Sequence, residues 1–108
     1  MGNETKDWKL KLRYEKLKTN FCHFTVVADG VAGELVEGFE CRPGRAWIAM
    51  KTWASDVDEA ADMIRAIGSQ IGFTVEGRIY VYDTEPELPP TEKPYGYDIS
   101  FTPYDEDA

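Results

Sequence analysis

Cys22 and His23 are neighbours, and thiol beside imidazole is the pairing that a nucleophile and its base require. If their segment is a regular strand, the two side chains point to opposite faces and cannot meet, so a satisfied structural histidine is the simpler role. Two cysteines are too few for a disulfide framework or a four-thiolate zinc site, and one histidine cannot complete a histidine cluster. No metal and no cofactor are expected. Asp29, Asp83 and Glu85 offer carboxylates for acid–base work, but nothing separates them from a generally acidic surface. The glycines at 30, 33 and 38 precede no helix and so form no phosphate-binding loop. The sequence therefore names no catalytic residue.

A second set of residues is more telling. Trp47, Trp53, Tyr80 and Tyr82 combine large apolar area with a polar tip, the chemistry that suits a surface buried against something else. Val27 and Val36 extend this set, and His23, Glu40, Lys51 and Arg78 stud it with polar groups. Whether these residues share one face depends on the elements that carry them.

The best-marked element is a helix opening near Ser55. Ser55 suits an N-cap, Asp58 three residues on makes a weak capping box, and Asp56, Asp58 and Glu59 favour the positive end of the helix dipole. Val57, Ala60, Ala61, Ile64, Ile67 and Ile71 recur at helical spacing, and Gly72 suits the left-handed stop. Gly68 beside that stripe implies a close packing contact. A strand follows, with Phe73, Val75, Ile79 and Val81 alternating against Thr74, Glu76, Arg78, Tyr80 and Tyr82.

Earlier in the chain, Trp8, Leu10, Leu12 and Tyr14 alternate with Lys9, Lys11, Arg13 and Glu15, which predicts a half-buried strand. Together with Lys16 and Lys18, the cations there suit an edge guarded against aggregation, or an anion or partner site. FCHFTVVA and GELVEGFEC read as a hairpin. A turn at Asp29 and Gly30 sets Phe24 against Leu35; a turn at Val31 and Ala32 sets Cys22 against Cys41 and His23 against Glu40. AWIAMKTWA is apolar on both sides, as a central strand is. Residues 84–96 hold four of the six prolines and predict an extended loop. YDISFTPY then predicts a last strand, with Tyr97, Ile99 and Phe101 on one side and Pro103 at an edge or an end.

The expected fold is α+β: a two-layer sandwich of a mainly antiparallel sheet in the order ββββαββ, with one helix packed on one face. All 108 residues form one domain, with 1–7 and 104–108 mobile. The helix stripe takes the aliphatic sheet face (Phe24, Val26, Leu35, Phe39, Ile48, Met50, Val75, Ile79, Val81) as its core. The opposite face then collects His23, Val27, Val36, Glu40, Trp47, Lys51, Trp53, Arg78, Tyr80 and Tyr82.

Charge limits the partners. Residues 1–54 carry nine basic and seven acidic groups, and residues 55–108 carry three and thirteen, for a net charge of −8. Nucleic acid and anionic membrane are not expected partners, because both need a basic footprint. With no membrane-spanning run and no signal-peptide pattern, a cytoplasmic location is expected.

The stretch RPGRAWIAMKTWASDVDEAADMIRAIGSQIGFTVEGRIYVYDTEPELPPTEKPYGYDISFTPYDE resembles short bacterial proteins carried on integron-type mobile gene cassettes, through the tryptophan before the helix, the IGF helix end and the PYGYDISFTPY ending. That resemblance implies a bacterial accessory role and no activity assignable to a residue. The aromatic face supports three readings: a homodimer or partner interface, a face covered by the chain's own proline-rich loop or first strand, or a small-molecule pocket using His23, Glu40 and the tryptophans. A non-enzymatic interaction module is the leading expectation, as a homodimer or an inhibitor or immunity-type protein meeting a basic partner. A small-molecule binder is the alternative.

Overall fold

A computed structural model describes residues 8–10, 12 and 19–104. Residues 19–104 form four strands and a helix in the order β1 (Cys22–Ala32), β2 (Gly44–Ala54), α1 (Val57–Ile71), β3 (Phe73–Asp83) and β4 (Tyr95–Pro103). The four strands make one sheet in the order β3-β1-β2-β4, with every neighbouring pair antiparallel. β1 and β2 form the centre of the sheet, and both edges come from the second half of the chain.

α1 lies against the aliphatic face. Phe24, Val26, Ala28, Ile48 and Met50 from the central strands pack with Ala60 and Ile64 of the helix and Phe73 of β3, all buried. The helix stops at Gly72, whose φ of 116° is left-handed and whose N–H bonds Gly68 O, as the sequence predicts. A Cβ on Gly68 would sit 3.2 Å from Phe73 O, so the expected close packing is real. Gly30 is tighter still: a Cβ there would collide with Thr74 O and the Phe73 ring. The helix start lies one residue beyond the expectation. Asp56, not Ser55, is the N-cap, accepting from Glu59 N at 2.8 Å, while the Glu59 carboxylate reaches back to Ser55 N at 2.6 Å and Ser55 Oγ at 2.9 Å.

Among the described residues, two of the expected strands are absent. Residues 8–10 and Leu12 are helical rather than extended. From residue 6 to 18 there is no β-branched residue, and Lys, Leu, Arg and Glu dominate, so intrinsic helix preference outweighs an alternation that fits either period. Lys11, Arg13, Lys16 and Lys18, and the termini expected to be mobile, lie outside the described residues, apart from Tyr104.

The segment GELVEGFEC is a loop, and the hairpin registers built on it fall with it. Cys22 pairs with Ala54 and His23 with Trp53. β2 offers Ala46, Ile48, Met50 and Ala54 for complete burial, whereas residues 33–41 carry three glutamates and two glycines. The loop instead satisfies the open carbonyls of the helix end, with Gly33 N bonding Gly72 O at 2.9 Å and Val36 N bonding Ile71 O at 2.8 Å. Asp29 and Gly30, one of the expected turns, lie inside β1, where the register with β3 shifts between Ala28 and Gly30.

Candidate functional site

The register places the aromatic face row by row across β3, β1, β2 and β4. Tyr82, Thr25, Lys51 and Tyr97 form one row; Tyr80, Val27, Ala49 and Ser100 form the next. His23, Trp53 and Tyr95 lie beyond the first of these, and Asp29, Trp47 and Thr102 beyond the second. Of the ten residues expected here, His23, Val27, Trp47, Lys51, Trp53, Tyr80 and Tyr82 share the face. Arg78 joins them through its guanidinium, which bonds Tyr80 Oη at 3.4 Å. Val36 and Glu40 do not. They sit in the exposed loop at the helix end, on the side where Phe39 meets Phe101 at 6.1 Å.

Three tyrosines that sequence parity misplaces or omits complete the site. A register shift between Ala49 and Lys51 admits an extra residue in β4, and Asp98 takes it up with a φ of 54°. Beyond the shift the side chains change sides. Phe101 remains with the core while Tyr97 and Tyr95 turn to the aromatic face. Asp tolerates left-handed backbone better than most residues, which was the available signal. The third is Tyr104, just past β4.

The face divides into two halves. At the His23 end, the loop between β3 and β4 folds over the sheet. Trp53 Nε1 donates to Leu88 O at 2.8 Å, and Tyr95 Oη donates to Pro89 O. Tyr97 Oη accepts from Glu87 N at 2.9 Å and Leu88 N at 3.3 Å. His23 lies beneath, only 6% exposed, with its ring 5.1 Å from Trp53 in an edge-on contact. Its Nδ1 is 3.1 Å from both Thr84 O and Thr84 Oγ1, and its Nε2 is 2.7 Å from Tyr97 Oη. A carbonyl only accepts, so Nδ1 carries the proton and Nε2 accepts the Tyr97 hydroxyl hydrogen. Burial holds the His23 pKa below its ordinary value of 6.5, against the opposing hydrogen bond to the Thr84 backbone; nearby Lys51 adds to the lowering and Glu87 offsets it. Lys51 bridges Glu87 and Asp98 at 2.8 Å each, and these partners, Asp98 first, raise its pKa.

The other half is open. Trp47 lies 6.0 Å from Tyr104 and 6.2 Å from Tyr80, and Tyr80 lies 6.5 Å from Tyr82. Tyr80 is 37% exposed and Tyr82 52%. At its border, the Asp29 carboxylate accepts from Arg45 at 3.0 Å and from the Tyr104 hydroxyl, and Arg45 also lies over the Tyr104 ring. The hydrogen bond to Asp29 raises the Tyr104 pKa, so the phenol stays protonated.

These placements limit the chemistry. Cys22 is exposed at the start of β1 and His23 is buried. Asp83 pairs with Phe24, five strand residues from Asp29 and so roughly 16 Å away. Asp29 and Asp83 therefore form no acid–base pair with each other. Among the described residues no group of three or more metal-ligating side chains converges, and no helix is long and apolar enough to cross a membrane. Comparison with protein-family models, with curated proteins and with solved structures gives no match.

Proposed function

We propose that this chain is a non-enzymatic protein-interaction module that works as a homodimer, with the open half of its aromatic sheet at or beside the contact. The carrying observation is the division of the face. The chain's own loop covers His23, Trp53 and Tyr97, and leaves Tyr80 and Tyr82 exposed with Trp47 half-buried beside them. Tyrosine and tryptophan are the residues enriched at protein contacts, because they bury a large area and keep one polar atom satisfied. The ionisable groups nearby are engaged with one another: Lys51 with Glu87 and Asp98, and Asp29 with Arg45 and Tyr104. They hold the fold and leave no free nucleophile or base among them.

The acidic groups of residues 55–108 that lie outside the contact then offer a basic partner the surface of an inhibitor or immunity-type protein. Sedimentation equilibrium at tens of micromolar tests the first step. The expected mass is twice the 12.3 kDa of one chain, reduced toward one chain by Trp47→Ala combined with Tyr80→Ala. A wild-type mass of one chain throughout that range sinks the homodimer. A small-molecule reading is favoured by one feature, the floor of Val27, Ala49 and Ser100 bordered by Trp47 and Tyr80. A ligand there shifts Trp47 emission, whereas Trp53 lies under the loop.

A further inference from the structure

The two edges of the sheet are built differently. β4 carries a register shift, a residue at φ 54° in Asp98 and a terminal Pro103 with no N–H, all features that discourage another strand from adding there. β3 also shifts register, four steps from Val75 to Ile79 running beside two of β1, but it is eleven residues long with neither proline nor lysine, its stretch Ile79–Asp83 pairs regularly, and among the described residues it pairs only with β1.

Which backbone groups of β3 face outward follows from its inner pairing. Thr84 N bonds His23 O at 3.3 Å, and Tyr82 and Tyr80 stand opposite Thr25 and Val27. Hydrogen-bonded pairs alternate in an antiparallel ladder, so residues 80, 82 and 84 turn their N–H and C=O toward β1. Ile79, Val81 and Asp83 turn theirs to the open edge.

We propose that a second copy of this chain adds to the β3 edge, antiparallel, about a two-fold axis at Tyr80. This rests on the homodimer reading above and supplies its geometry. In this register Ile79 and Val81 of one chain stand opposite Val81 and Ile79 of the other and exchange their outward backbone hydrogen bonds. Tyr80 meets Tyr80 of the second copy at a close, non-hydrogen-bonded position. Every contact from 79 to 81 is thus complementary. Moving the axis to Val81 would set Ile79 against Asp83, an apolar residue against a carboxylate. The register also stops short of Thr84–Pro86, where Lys9 and Leu12 line a groove. Two four-stranded sheets become one, and the ring contacts of Tyr104, Trp47 and Tyr80 continue from one chain into the next.

Cross-linking tests this geometry. In a chain with Cys22→Ser and Cys41→Ser, Tyr80→Cys is expected to form a disulfide-linked dimer under mild oxidation, and Trp47→Cys is not. Val81→Pro removes an outward donor while sparing the bonds to β1, and is expected to give a folded monomer. Amide exchange at Ile79 and Val81 of the wild-type chain is expected to slow as concentration rises. A wild-type dimer in which Tyr80→Cys stays reduced and these amides exchange at a concentration-independent rate overturns edge pairing and leaves the homodimer standing. A wild-type monomer removes both. If Val81→Pro does not fold, the cross-link and the amides decide.

Discussion

His23 is the single histidine of the chain, and its surroundings accept only the neutral ring. Nδ1–H is committed to Thr84, and Tyr97 already accepts two loop N–H groups while donating to Nε2. A proton on Nε2 would face a hydroxyl oxygen with no free lone pair. With the folded-state pKa lowered, the unfolded chain takes up the proton first as pH falls through 6.5, so stability is lost in that direction. The expected outcome is a melting temperature that drops between about pH 7 and pH 5.5. His23→Gln has no titration there, and its melting temperature is expected to stay level; an equal drop in the variant would remove His23 as the cause. None of this network was legible in the sequence. A lone histidine on an alternating strand announces its face, but its partners lie 61 and 74 residues away in Thr84 and Tyr97, and the bulge at Asp98 reverses the parity that would have linked Tyr97 to it.

The helix shows the opposite case. Its stripe, its first-turn acids and its glycine stop were all legible, because caps and amphipathic spacing are local properties. The cap itself moved by one residue because Asp56 can offer its carboxylate to Glu59 N while Glu59 reaches back to Ser55, which satisfies more donors than Ser55 as cap. Asp56→Ala is therefore expected to cost about 1 kcal/mol in chemical denaturation, and Ser55→Ala clearly less. Equal losses would restore Ser55 as the cap. The strands were legible where hydrophobic alternation met β-branched residues, as in β1 and β3. They were misread where alternation stood alone, at residues 8–12 and 33–41. The second of these is instructive: a strand needs a partner, and β2 outcompetes the loop for β1 because it buries five residues completely, four of them apolar.

For the molecule as a whole, the charge of −8 makes two copies repel, while a dimer held by backbone bonds and aromatic contact gains nothing from long-range attraction. Raising salt from about 0.05 M to 0.5 M shortens the screening distance severalfold and is expected to tighten self-association. Binding to a basic partner is expected to weaken over the same range, so sedimentation with and without such a partner separates the two kinds of contact. The order β3-β1-β2-β4 bears on synthesis as well. The ribosome releases the two central strands first, and they emerge with both flanks bare and with the residues of either face uncovered. β3 closes one flank only after the helix has been made, and the other stays open until residue 103 is free. A nascent chain of this protein therefore depends on its last strand to complete the sheet, and a stall before Tyr95 leaves β2, with two tryptophans, an isoleucine and a methionine, as an unpaired edge.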